Sequence, residues 1–239
     1  MIGPFINGAA VIIGGAGGSF LGSKVSERVR NGLPLIFGLA SMGLGLAMTG
    51  RVQNLSAVIL SILIGSIFGE VINLENHIQT IAGKVKNFMG RFGSPAGHNL
   101  TQEQYMEKFI AILVLLCASG TGVFGSMNEG MTGDPTMLII KAFLDLCTAG
   151  IFAISLGLPV AVLAIPQFII QAILYFAAAS IMPLTTPMMI ADFSAVGGLI
   201  MFATGFRIAG IKSFAIANML PALFIAMPIS HYWVAIVGH

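Results

Sequence analysis

Lys141 and Asp145 stand four residues apart inside an otherwise apolar run, Thr136-Met-Leu-Ile-Ile-Lys-Ala-Phe-Leu-Asp-Leu-Cys-Thr-Ala-Gly-Ile-Phe152. On a helix this spacing brings both charges to one face, roughly 6 Å apart along the axis. A charge at the centre of a bilayer costs about 2.5–3.5 kcal/mol on insertion scales, so a helix that keeps two needs a use for them. One use is passage, with acidic groups drawing in a cation and a buried pair exchanging it or a proton. The other is structural, with Lys141 neutralising Asp145 inside a packed bundle. From Asp134 the same face runs through Leu138, Lys141, Asp145 and Thr148, in steps of four, three, four and three residues. That is one stripe from a membrane surface towards the middle, with Asn128 and Glu129 at its entrance. Asp134 suits a helix N-cap before Pro135, and Gly130 and Gly133 suit tight turns in the connection before it.

Other polar groups are sparse. Gln167, Gln171 and Tyr175 share a helical face and suit hydrogen bonds between helices. Pro166 and Pro221 lack the N–H groups that would bond the carbonyls of Val162 and Ala217, and freed carbonyls in broken membrane helices can hold cations. Asn218, just before the second break, is therefore a binding candidate, and Asn7 is its counterpart near the start of the chain. Asp192 and Glu70 fall near the ends of apolar segments. Cys117 and Cys147 are the only cysteines; neither has the spacing of a redox or metal motif, and core filling explains both. His77, His98, His231 and His239 fall in loops or the tail. No metal site and no cofactor is expected. There is no HExxH, GxSxG or Walker sequence, and Thr132-Gly-Asp134 lacks the first glycine of the Gly-x-Gly-Asp expected of intramembrane aspartyl proteases, so the chain does not read as an enzyme.

The elements that position these groups follow from composition. Of 239 residues, 56% are hydrophobic and 8% charged, and mean hydropathy is +0.96. A soluble domain carries about 25% charge, so the bilayer is the expected solvent. A net charge of +2 with no basic block excludes nucleic acid as a partner. We expect an all-α, polytopic transmembrane bundle in a single domain, 1–239. Eight apolar segments approach the ~20 residues a crossing helix needs: about 4–22, 33–49, 55–72, 108–126, 135–157, 159–182, 189–206 and 213–229. Under that layout Lys24, Arg28, Arg30, Lys84, Lys86, Arg91, Lys108, Arg207 and Lys212 share one side, and only Arg51 lies opposite. The positive-inside rule makes the basic side cytoplasmic and puts both termini outside, in a cell (inner) membrane. The long loop, about 73–107, is then cytoplasmic. Its apolar positions from Leu74 to Phe92 recur at helical spacing, as in an amphipathic helix lying in the interface. Thr101-Gln-Glu-Gln104 has the form of a capping box.

Glycines repeat at four-residue spacing at Gly14, Gly18 and Gly22 and at Gly65 and Gly69, faces that let helix backbones approach closely. They serve internal packing or a homo-oligomer. Ala40–Arg51 resembles Ala195–Arg207, sharing Ala, Gly-Leu and Thr-Gly ahead of an arginine. Spans 1–3 and 6–8 would then be inverted three-helix repeats around a central hairpin, an arrangement common in secondary transporters.

The chain also resembles the largely uncharacterised prokaryotic membrane family typified by YdfK and YqgA. The resemblance rests on Gly3-Pro-Phe-Ile-Asn-Gly8, Gly32-Leu-Pro-Leu35, Gly125-Ser126 and Glu129-Gly-Met-Thr-Gly-Asp134. It continues through Lys141 and Asp145, Asp192 with Ala195-Val-Gly-Gly-Leu199, and Asn218-Met-Leu-Pro-Ala222. It implies an integral membrane protein and suggests transport, without naming a substrate. The expected function is thus a transporter or permease for a small solute or ion, using Lys141, Asp145, Glu129, Asp134, Asn128, Asn218, Asn7 and Asp192. The alternative is a membrane scaffold whose charges are structural.

Overall fold

The computed structural model describes residues 1–21, 24, 26–80, 105, 109, 112–113, 115–117 and 119–237. Among these there is no strand; the chain is all-helical, as its composition predicts. Helices α1 (Gly3–Leu21), α2 (Glu27–Thr49) and α3 (Leu55–Val71) come first. A short α4 (Leu74–Thr80) is bent 51° from α3 across Asn73, whose φ is 51°. The described residues between Tyr105 and Cys117 are helical. Then follow α5 (Gly120–Thr132), α6 (Thr136–Leu156), α7 (Pro159–Val162), α8 (Ala164–Ile181), α9 (Pro187–Ile208), α10 (Ile216–Met219) and α11 (Pro221–Val237). The rest of the expected amphipathic helix and the Thr101 capping box lie outside the described residues.

Among the described residues, three segments are long and apolar enough to cross a membrane: Thr136–Leu156, Pro159–Leu184 and Pro187–Ile208. The bent pair α3 and α4 makes a fourth if it counts as one span. Several other expected spans are shortened by local chemistry. The apolar part of α2 is only Leu35–Thr49. Pro221, lacking an N–H, separates α10 from α11, and the Ala217 carbonyl it would have bonded accepts instead from Leu220 N–H at 3.2 Å. Pro166 sits in the first turn of α8, and the α7–α8 segment, which turns at Leu163, remains one of the three crossing segments.

One connection is shorter than the sequence suggests. Helix α5 begins at Ser119, whose hydroxyl accepts from Gly122 N–H at 3.1 Å, and runs on to Thr132. Gly130 is therefore helical, and only Gly133, with φ 76°, makes the turn. Packing overrides poor glycine propensity here. A Cβ on Gly130 would lie 2.3 Å from the Tyr175 carbonyl oxygen, and one on Gly122 2.8 Å from Lys141 Cε. Bare backbone is what lets α5 lie against α6 and α8.

Glycine contacts also fix helix directions. Gly3 faces Leu138, Gly14 faces Leu146 and Gly18 faces Gly150, so α1 runs parallel to α6. Gly38 meets Gly205 and Gly45 meets Gly198, so α2 runs antiparallel to α9. Gly65 meets Ala222 and Gly69 meets Asn218, so α3 runs antiparallel to the α10–α11 segment. Two apolar cores result. One gathers Phe124, Phe193, Ile200, Met201 and Leu223; the other gathers Val11, Phe109, Ile112, Ala149 and Leu163. Outward faces stay greasy: Phe20 is 82% exposed and Ile13 64%, as suits a lipid solvent.

Candidate functional site

Lys141, Ala142, Asp145 and Ala149 lie on the buried face of α6. The Lys141 ammonium contacts Asp145 Oδ2 directly, with both side chains enclosed. Gly122 makes room for the lysine stem. From α8, Gln167 Nε2 donates to the same Asp145 oxygen at 2.6 Å, so the carboxylate ties α6 to α8. The pair is enclosed by packing among α5, α6 and α8.

Three carboxamides gather at this level. Along α1, Gly3 marks the height of Leu138 and Gly14 that of Leu146, which puts Asn7 close to the height of Lys141. Against α8, Met1 reaches Tyr175 and Phe5 packs at a tilt on Phe168 with 4.9 Å between ring centroids, while Gly15 meets Ala161 of α7. That antiparallel register sets Asn7 near the height of Gln167, with Gln171 one turn along α8. Asn7 is fully buried, and Gln167 and Gln171 nearly so. Yet both polar atoms of Asn7, both of Gln171 and Oε1 of Gln167 have no hydrogen-bond partner. Among the described residues, these five are all the buried side-chain polar atoms left unpaired. Each such group costs about 1–3 kcal/mol unless something meets it.

Four other acidic groups, Glu129, Asp192, Glu75 and Asp134, serve helix ends. Glu129 accepts from Ile2 N–H at 2.7 Å and Gly3 N–H at 3.1 Å, with the Met1 ammonium 3.5 Å away. Asp192 accepts from Gln53 N–H and Asn54 N–H at 3.0 and 2.8 Å, and Ser230 Oγ donates to its other oxygen at 2.6 Å. Glu75 takes Ala217 N–H at 3.0 Å and Arg207 Nη1 at 2.7 Å, while its own N–H donates to Asn218 Oδ1 at 2.7 Å. Each carboxylate thus meets the unpaired amides and positive dipole end of a helix other than its own. Asp134 is exposed and accepts from Thr136 Oγ1 at 2.5 Å and Thr136 N–H at 3.0 Å; those bonds, the hydroxyl's first, hold its carboxyl below the usual carboxylate range. Asn128 is buried near the end of α5, where its carbonyl accepts from Thr132 Oγ1.

Of the residues singled out by sequence, the structure brings Lys141, Asp145 and Asn7 to one level and joins Gln167 and Gln171 to them. Glu129, Asp192 and Asn218 sit at helix ends, and Asp134 on the surface. Glu75 escaped sequence reasoning altogether, because its partners, the Ala217 amide and the Arg207 guanidinium, lie 142 and 132 residues away in the sequence. Among the described residues, no group of His, Cys, Asp and Glu is placed to hold a metal ion.

Residues 2–231, which include every one of these groups, match the family described as Protein of unknown function (DUF554). The chain belongs to that family. A DUF554 relative, the Uncharacterized protein YqgA of Escherichia coli (strain K12), is 52% identical over 98% of this chain and 98% of its own length. The Uncharacterized membrane protein YdfK of Bacillus subtilis (strain 168) is 25% identical over 94% of this chain and 93% of its own. No solved structure matches. With the apolar helices and greasy outer faces, this makes the chain a DUF554 membrane protein.

Proposed function

We propose that the protein is a multi-span transporter or permease of the cell membrane, with a small-solute site formed by Asn7, Lys141, Asp145, Gln167 and Gln171. One observation carries the reading: five unpaired polar atoms collect beside a buried ion pair. A scaffold has every reason to satisfy its internal polar groups, and this chain does so elsewhere with Glu75, Glu129 and Asp192. Groups left open at one level of the bundle suit a visiting solute. In this proposal Asn128, Glu129 and Asp134 line the outer approach, while Asp192 and Asn218 act by holding helix ends in place.

Helix directions support the eight-span order. Spans 1 and 5 would run the same way, and spans 2 and 7, and 3 and 8, opposite ways, in keeping with the glycine contacts. The similar stretches in α2 and α9 pack face to face, as inverted repeats related by a pseudo-two-fold axis would. The termini would lie outside and loop 73–107 in the cytoplasm.

The test is accessibility. In a background with Cys117→Ala and Cys147→Ala, Gln171→Cys should react with a small, membrane-impermeant thiol reagent added to membrane vesicles. A transporter opens its site to water in part of its cycle. Complete protection of Cys at this position from both faces of the membrane would favour the scaffold.

A further inference from the structure

Resting on the transport reading, the site's own chemistry narrows its solute. We infer that it takes an uncharged molecule bearing a hydrogen-bond donor and acceptor side by side, an amide or ureide edge, rather than an ion. The first argument is charge. Lys141 and Asp145 are in direct contact and buried, so together they present no net charge. Carboxylates elsewhere in the bundle are already engaged: Glu129 by the amides of α1 and the Met1 ammonium, Asp192 by the amides before α3, Glu75 by Arg207. A cation or an anion entering here would leave water without gaining a counter-charge, and the site offers nothing to offset that desolvation. Ions are the wrong cargo.

The second argument is the inventory of open groups. Asn7 and Gln171 each offer a complete carboxamide, two N–H donors beside a carbonyl acceptor, and Gln167 adds one more acceptor at Oε1. An apolar solute would satisfy none of these, and a carboxylate only the donors. A zwitterion would have to split the Lys141–Asp145 contact and displace Gln167 Nε2 from Asp145. An amide or ureide edge matches a carboxamide bond for bond, N–H to C=O and C=O to H–N, and leaves the ion pair closed. The ion pair then serves as a fixed wall that orients Gln167, with its Nε2 held at 2.6 Å from Asp145 so that Oε1 is free to accept.

The experiment uses the full chain purified in detergent. Acetamide and uracil serve as uncharged probes, glycine as a zwitterion, and sodium acetate and ammonium chloride as ions. Binding is read by equilibrium dialysis of radiolabelled probe, and folding by thermal unfolding, for wild type and Gln171→Leu. Acetamide or uracil should bind wild type with at least tenfold preference over glycine and the ions. Gln171→Leu should weaken that binding at least tenfold yet unfold at the same or a higher temperature, because it removes an unpaired buried amide. Preference for glycine or an ion overturns the solute class while leaving the transport reading standing. Equal binding by Gln171→Leu overturns the assignment of the site. If no probe of any class binds, this inference falls, and the accessibility of Gln171→Cys decides separately whether transport falls with it.

Discussion

Replacing Lys141 by methionine tests what the ion pair does for the fold. The ammonium is 2% exposed and Asp145 10%, so the variant strands a carboxylate among apolar side chains with one remaining partner, Gln167. Removing one member of a buried pair costs about 3–5 kcal/mol. Replacing both, as Lys141→Met with Asp145→Leu, removes the desolvation burden of two charges, a change that is neutral or stabilising by about 1–4 kcal/mol. Against that, Gln167 Nε2 loses its acceptor, at about 1–3 kcal/mol. The two terms nearly cancel. A chain of this length shifts its melting temperature by about 2–4 °C per kcal/mol. The single variant should therefore melt about 6–20 °C below wild type, and the double variant within about 5 °C of it. Thermal unfolding of the four proteins of the cycle, in one detergent, reads this directly. A double variant that falls as far as the single would refute the argument, since charge compensation would then not be what Lys141 supplies. A double variant that folds well but no longer binds solute would show the pair to be kept for its site.

Other perturbations separate packing from chemistry. Gly69→Ala puts a Cβ 2.0 Å from the Asn218 carbonyl oxygen and should destabilise by about 1–3 kcal/mol in unfolding assays, whereas Gly17→Ala, with nothing within 4 Å, should be neutral or slightly stabilising. Asp192→Ala removes the acceptor of Gln53 N–H, Asn54 N–H and Ser230 Oγ and should cost at least about 2 kcal/mol; Ser230→Ala, losing one of those bonds, about 1. Because the folded carboxyl of Asp134 is held below its ordinary range, its contribution is fully present above about pH 4 and fades as pH falls through the lower, folded value. Thr136→Val, which removes the hydroxyl bond and keeps the backbone N–H, should reduce that acid-side loss, as measured by unfolding midpoints across acidic pH.

Side-chain pattern made part of this architecture readable. The four-residue spacing of Lys141 and Asp145 foretold their contact, and the middle of the stripe, Leu138, Lys141 and Asp145, lies on the buried face of α6, while Asp134 is exposed and Thr148 half-buried. Helix α6 begins and ends within a residue of the expected segment 135–157. What stayed hidden involves backbone. Glu129, Asp192 and Glu75 bind amide N–H groups 127, 139 and 142 residues away in sequence, and an amide looks the same at every position. The helical course of α5 was hidden for a related reason. Its glycines look like turn formers until their contacts with Tyr175 and Lys141 are known. Asn7 was singled out through a repeat, but its place near the height of Gln167 follows only from the register of α1 on its neighbours.

The parallel contact of α1 with α6 has a consequence for biogenesis. Gly14 rests on Leu146 and Gly18 on Gly150, so the partner face of the first helix is translated about 130 residues after it. At 5–20 residues per second, that is a wait of roughly six to twenty-six seconds. Through that interval the nascent α1 holds Asn7 and the amides of Ile2 and Gly3 without their eventual neighbours. An insertase or chaperone that shelters a polar, glycine-faced helix would meet its client here, and the arrival of α6 would be the moment of release.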